Sequence, residues 1–136
     1  MLRKFLKPIK LPEAVDWAVL ILRVGISLLM LTHGYAKLSR ALGGDLGFAD
    51  PIGLGEGTSL ILTIGAEFFC SLLLIIGFGS RLALIPLIIT MLVVTFIIHG
   101  KDPFDKQEHS LLFLIPYITL FLTGPGKYSL DKSIFK

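Results

Sequence analysis

The apolar positions of this chain are gathered in blocks and do not recur at helical or strand spacing. One block runs from Trp17 to Lys37, a second from Thr58 to Gly77, a third from Leu82 to His99, and a shorter fourth from Ser110 to Thr123. Unbroken apolar runs mark helices that face lipid, because a helix of a soluble core keeps a polar stripe for water. A helix rising 1.5 Å per residue takes about 20 residues to cross a hydrocarbon layer of about 30 Å. The first three blocks reach or approach that length, and the fourth does so by drawing in the polar turn Gln107–His109. The spans predicted in this way are about 16–38, 58–78, 81–99 and 108–123. A buried half-span is the alternative for the fourth, which carries Pro116.

The breaks between blocks read as turns. Gly77-Phe78-Gly79-Ser80-Arg81 is short enough to force the second and third spans antiparallel. Gly43 to Gly57 forms a longer glycine-rich loop, and Lys101-Asp102-Pro103-Phe104-Asp105 a polar turn. Gly124-Pro125-Gly126 ends the last span, since glycine caps a helix and proline cannot continue it. The pattern predicts an all-α integral membrane protein, an antiparallel four-helix bundle forming a single domain over residues 1–136.

Composition sharpens this picture. Hydrophobic residues make up 54% of the chain and charged residues 17%, against about 25% charged in soluble domains. The one cysteine, Cys70, excludes an intrachain disulfide, a CxxC dithiol and a cysteine zinc cage. The net charge of +3 is modest and no basic stripe is interleaved with aromatics, so nucleic acid is not an expected partner. No GxSxG elbow, Walker A loop or paired carboxylate points to hydrolysis. The basic segment before Trp17 runs into the first block without a small-residue cleavage site, which reads as an uncleaved first span. Arg3, Lys4, Lys7, Lys10, Arg81, Lys127, Lys132 and Lys136 fall on one side of the predicted membrane; Lys37, Arg40, Lys101 and Lys106 fall on the other. The positive-inside rule then makes both termini cytoplasmic.

Ionisable side chains inside the spans carry the candidate chemistry. A charge at mid-helix costs about 2.5–3.5 kcal/mol on insertion scales, so each calls for a partner. Arg23 lies roughly 10 Å and Glu67 roughly 16 Å from the cytoplasmic face at 1.5 Å per residue, and an Arg23–Glu67 ion pair is the expected way to bury both. Such a pair serves either as a structural fastener or as part of a proton or anion relay. Arg23, Ser27, Met30, His33, Gly34 and Lys37 share one face of the first span, and Thr63, Glu67, Cys70 and Ser71 a comparable face of the second. Gly34 lets a neighbour approach closely, and Lys37 can instead snorkel to the interface. Antiparallel packing brings His33, His99 and His109 to one depth on the outer side. No HxxxH, HxH or ExxH spacing joins them, so a metal site is not expected. A polar outer pocket built from His33, Lys37, His99 and the glycine-rich loop is the expectation.

These residues resemble the DoxX family of small bacterial membrane proteins. The resemblance rests on Arg23 and His33-Gly34-Tyr35-Ala36-Lys37, on Gly65-Ala66-Glu67, and on Gly77 and Arg81. Most telling is the closing Gly124-Pro125-Gly126-Lys127-Tyr128-Ser129-Leu130-Asp131. It implies a four-span fold in the bacterial inner (plasma) membrane and offers Arg23, His33, Lys37, Glu67 and Arg81 as candidate functional positions. It links some relatives to quinone-coupled sulfur oxidation or thiol redox defence, and more distant four-span relatives to maturation or assembly of partner proteins. A lone cysteine departs from a self-contained thiol oxidoreductase. Two function classes follow. One is a redox-linked accessory subunit binding a quinone or small anion at Arg23, His33, Lys37, Glu67 and His99. The other is a non-catalytic assembly factor or structural subunit. No flavin, haem or iron–sulfur ligand set stands out, so electron chemistry would draw on a redox or membrane-protein partner.

Overall fold

Pro8 and Pro12 interrupt the basic N-terminal segment, because proline lacks the amide hydrogen that a helix interior needs. The chain therefore forms a short helix α1 (Leu2–Leu6) and starts its longest helix, α2 (Glu13–Leu42), directly after Pro12. In the computed structural model, which describes residues 1–136, the remaining elements are α3 (Glu56–Ile76), α4 (Ser80–Ile98), α5 (Phe104–Thr123) and the short α6 (Leu130–Ile134), with no strand. Helices α2, α3 and α4 are long and apolar enough to cross a membrane. Helix α5 has 20 residues but opens on Asp105, Lys106 and Glu108, which lowers its apolar content. Helix α2 outruns the predicted first span at both ends, with Glu13 and Asp16 in its first turn and Arg40 in its last. Two π-helical turns, Gly65–Cys70 within α3 and Val94–Ile98 at the end of α4, have no counterpart in the sequence reading.

The core is narrow. Met30, Leu74, Leu84, Leu87, Met91, Leu114, Tyr117 and Leu120 belong to one buried apolar cluster. Far more apolar surface points outward: Ile21, Leu28, Leu29, Ile61, Phe69, Ile89, Phe96, Ile97, Leu112, Ile115 and Leu122 are all exposed. Such a contiguous apolar exterior suits lipid as the solvent and not water.

Two glycines fix how α2 and α3 meet. Gly77, in the left-handed region at φ +72°, ends α3 so close to the C-terminal segment that a Cβ would lie 2.5 Å from Ser129 Cβ and 3.3 Å from Arg23 Cζ. At the other end, a Cβ on Gly34 would lie 2.6 Å from the carbonyl carbon of Glu67. Arg23 is therefore level with Gly77, and Gly34 with Glu67, so the two helices run in opposite directions.

This register corrects the expected Arg23–Glu67 ion pair. Eleven residues separate Arg23 from Gly34, about 16 Å along the axis at 1.5 Å per residue, which is beyond what the two side chains bridge. Depths counted from the span ends bring the two residues closer than this register allows. Arg23, 1% exposed, instead donates from Nη1 to the Pro125 carbonyl and from Nη2 to the Tyr128 carbonyl at 2.8 Å. The segment after α5 thus folds back under α2 and is fastened at several points. Asp131 accepts from the amides of Gly79 at 2.7 Å and Ser80 at 2.9 Å, satisfying donors that the start of α4 leaves free. Asp16 accepts from the Lys127 amide at 2.9 Å, and Arg81 donates to the carbonyls of Phe5 at 2.6 Å and Phe121 at 3.1 Å. The closing GPGKYSLD stretch is a clasp that ties the end of the chain to α2 and to the turn between α3 and α4, and Arg81 of that turn holds the N-terminal segment.

Candidate functional site

At the opposite end, the close approach at Gly34 builds the polar feature of interest. A π turn is wider than an α turn and disturbs the regular ladder of side chains, and Glu67 sits within the one in α3. Because the α2 backbone touches that turn at Gly34, Lys37 three residues further on reaches the carboxylate: Nζ to Oε2 is 2.6 Å. The Glu67 side chain is 5% exposed and that of Lys37 24%. Within a low-dielectric interior each charge neutralises the other, and the charge-assisted hydrogen bond is strong.

The pair forms part of the wall of a cavity of about 410 Å³. From α2 come Met30, His33 and Lys37; from α3 Ser59, Leu62, Thr63 and Glu67; from α4 Thr90, Met91, Val94 and Ile98; from α5 His109, Ser110 and Phe113. The glycine-rich loop closes it with Phe48, Ala49, Pro51, Ile52 and Leu54. Two anchors hold that loop. Ser59 Oγ donates to Asp50 Oδ1 at 3.1 Å, and Arg40 donates to the Gly47 carbonyl at 2.6 Å while pairing with Asp45 at 3.3 Å.

His33 meets His109 with ring centroids 5.3 Å apart and Phe113 at 5.8 Å, both edge to face. His99 ends the π turn of α4, where Nδ1 lies 2.7 Å from Asp102 Oδ2 and the carbonyl accepts from Gln107 Nε2 at 2.8 Å. The hydroxyls of Thr95 and Ser110 are 2.6 Å apart and join α4 to α5 beside the cavity. No three His, Cys, Asp or Glu side chains converge as metal ligands. The cavity thus offers an ammonium, a carboxylate and imidazole edges, with a few hydroxyls, on mostly apolar walls. It can take a molecule with a hydrogen-bonding head and an apolar body.

Of the five residues expected to contact a ligand, His33, Lys37, Glu67 and His99 line this one cavity. Arg23 does not; it lies in the clasp at the far end. The partner of Glu67 is Lys37 and not the expected Arg23, so Lys37 does not simply snorkel to the interface. The sequence reading groups His109 with His33 and His99 by depth yet leaves it out of the site. The signal for Lys37 is its spacing of three residues from Gly34, a position where a neighbouring backbone can approach.

Comparison with known proteins gives a consistent result. The family model described as DoxX matches residues 18–100, from the start of the first long helix to the end of α4. The inner membrane protein YqjF of Escherichia coli (strain K12) is 28% identical over 127 residues, covering 89% of this chain and 95% of that protein. No solved structure matches the chain at a significant level.

Proposed function

The chain belongs to the DoxX family of membrane proteins, and from that premise we propose that it is a redox-linked accessory subunit which binds a quinone in the cavity beside Lys37 and Glu67. In this reading it is an antiparallel four-span bundle in the bacterial inner membrane, one domain throughout, with α5 as the fourth span and both termini cytoplasmic. Its similarity to an inner membrane protein supports the location. The lysine and arginine excess at the end carrying the termini supports the orientation. A reporter fused after Lys136 is expected to be active in the cytoplasm and one inserted near Asp50 outside; the reverse pattern would overturn the orientation.

The observation that carries the ligand reading is the Lys37–Glu67 pair, largely out of water, on the wall of a mostly apolar cavity. A volume of about 410 Å³ lies within the range of about 300–1,000 Å³ common for small-molecule sites. A quinone, when bound, supplies a carrier of two electrons and two protons, with electrons drawn from a partner chain. The residues here suit its headgroup: the Lys37 ammonium and the His33 and His109 rings can donate to carbonyl oxygens. Glu67 and the imidazoles are the groups that can hold and pass protons beside it.

The test is quinone extracted from the protein purified in mild detergent and quantified by mass spectrometry. Wild type is expected to retain quinone, and Thr63→Phe, which fills the cavity from α3, to lose most of it while keeping its melting temperature. Absence of quinone from wild type, with no shift in melting on adding a short-chain quinone, would remove this reading. One observation favours the alternative of a non-catalytic assembly or structural subunit. Arg23, Arg81 and Asp131, the other family-type polar positions, are all engaged in fastening the chain to itself.

A further inference from the structure

A second polar feature lies at the clasp end, remote from the cavity. Between the segment that leads into α2 and the clasp is a cleft of about 350 Å³ whose polar lining is Lys10, Glu13, Asp16, Lys127 and Lys132. The charges are not balanced locally. None of the three lysines has a carboxylate within salt-bridge distance, although two acidic residues share the cleft. Asp16 is buried and directs Oδ1 to the Lys127 amide, which orients the backbone and leaves the Lys127 ammonium free. That ammonium lies 5.6 Å from the centroid of the Tyr128 ring. Glu13 is exposed at the start of α2.

We infer that this cleft binds a phosphate group through Lys10, Lys127 and Lys132. Three lysines on the lining of one cleft suit an anion with several acceptor oxygens, and phosphate is the common biological anion of that kind. The surroundings favour a lipid headgroup as its source. Trp17, half exposed, stacks on Tyr128 with ring centroids 4.6 Å apart, and apolar Ile9 and Leu11 form the rest of the cleft. Tryptophan and tyrosine concentrate where a membrane protein crosses the headgroup layer. Lysines at that level gain from the negative charge of anionic lipids. The site is independent of the quinone reading, since it shares no residue with the cavity.

The experiment titrates the delipidated full-length protein in neutral detergent with phosphatidylglycerol, phosphatidylcholine or inorganic phosphate, followed by native mass spectrometry. Phosphatidylglycerol is expected to bind more tightly than phosphatidylcholine. Lys10→Gln, Lys127→Gln and Lys132→Gln together are expected to weaken it about hundredfold, from about fivefold per lysine. Glu13→Gln is expected to tighten it. The control removes three charges from the same end of the molecule, as Arg3→Gln, Lys4→Gln and Lys7→Gln, and is expected to change affinity far less. Competition by millimolar inorganic phosphate would assign the site to aqueous phosphate, and its failure to compete would assign it to the lipid headgroup; both keep the phosphate site. Equal weakening by the two triple variants, or no weakening by the first, would overturn it.

Discussion

Replacing Arg23 with leucine is expected to destabilise the protein strongly and without any interaction with Glu67. The guanidinium holds two backbone carbonyls, that of Pro125 in a buried bond and that of Tyr128 in a part-buried one. Hydrogen bonds to a charged group contribute about 1.5–3 kcal/mol each, so the loss of two falls at about 3–6 kcal/mol, and the clasp loosens with it. Lys37 and Glu67 behave differently because they are each other's partner. Removing one member of a buried pair costs about 3–5 kcal/mol, whereas replacing both with apolar residues can be nearly neutral. A membrane reference state reduces these figures, since separated helices find other partners. Lys37→Leu is expected to be the worse single change: it strands a carboxylate that is 5% exposed, while Glu67→Leu strands a lysine that is 24% exposed and can reach toward water. Thermal unfolding in detergent checks the full set. The Lys37→Leu/Glu67→Leu double variant is expected to recover much of the loss. Arg23→Leu/Glu67→Leu is expected to add to within about 0.5 kcal/mol, as distant sites do. Recovery in the second double variant and not the first would mean that the register of α2 against α3 is wrong.

What the sequence made legible follows from which physical signals are local. Length and hydropathy are local, so the long helices were visible with ends displaced by only a few residues. Helix α5 starts at Phe104, ahead of its predicted start near 108, because Pro103 opens it. The shared face of α2 was legible for the same reason: Arg23, Ser27, Met30 and Gly34 repeat at helical spacing and are buried. Partner choice is not local. Whether Glu67 meets Arg23 or Lys37 depends on the axial offset of two helices, which the apolar pattern of neither helix sets. That offset is marked by Gly34 against the π turn and by Gly77 against Arg23. The sequence reading noted that Gly34 permits close approach but had no means to know that the approaching backbone was that of Glu67. Nor could apolar periodicity reveal the π turns, since Gly65–Cys70 reads as an ordinary stretch of helix. The clasp was visible as a motif and opaque as a structure. Asp131 and Arg81 stood out by resemblance, yet their targets are backbone groups at Gly79, Ser80, Phe5 and Phe121, which carry no residue signature.

Gly34→Leu is expected to damage the cavity more than any other single change in α2. A Cβ at this position would lie 2.6 Å from both the Glu67 carbonyl carbon and the Phe68 amide nitrogen, and 2.8 Å from the Glu67 oxygen. All three are backbone atoms, so no flexible side-chain tip can yield and the helices must separate. Overpacking costs about 1–3 kcal/mol and occasionally more; contact with backbone puts this substitution at the upper end. The displacement acts directly on function as proposed, because Lys37 reaches Glu67 only while the two backbones touch. Gly25→Leu supplies the comparison within the same helix. A Cβ there meets nothing within 4 Å, and replacing a helical glycine gains up to about 1 kcal/mol in propensity. Thermal unfolding and retained quinone are measured on both variants. Gly25→Leu is expected to match or exceed wild type in melting and to retain the ligand, while Gly34→Leu melts earlier and loses it. Equal behaviour of the two glycine variants would mean that α2 and α3 do not touch at Gly34. The Lys37–Glu67 pair would then need another origin.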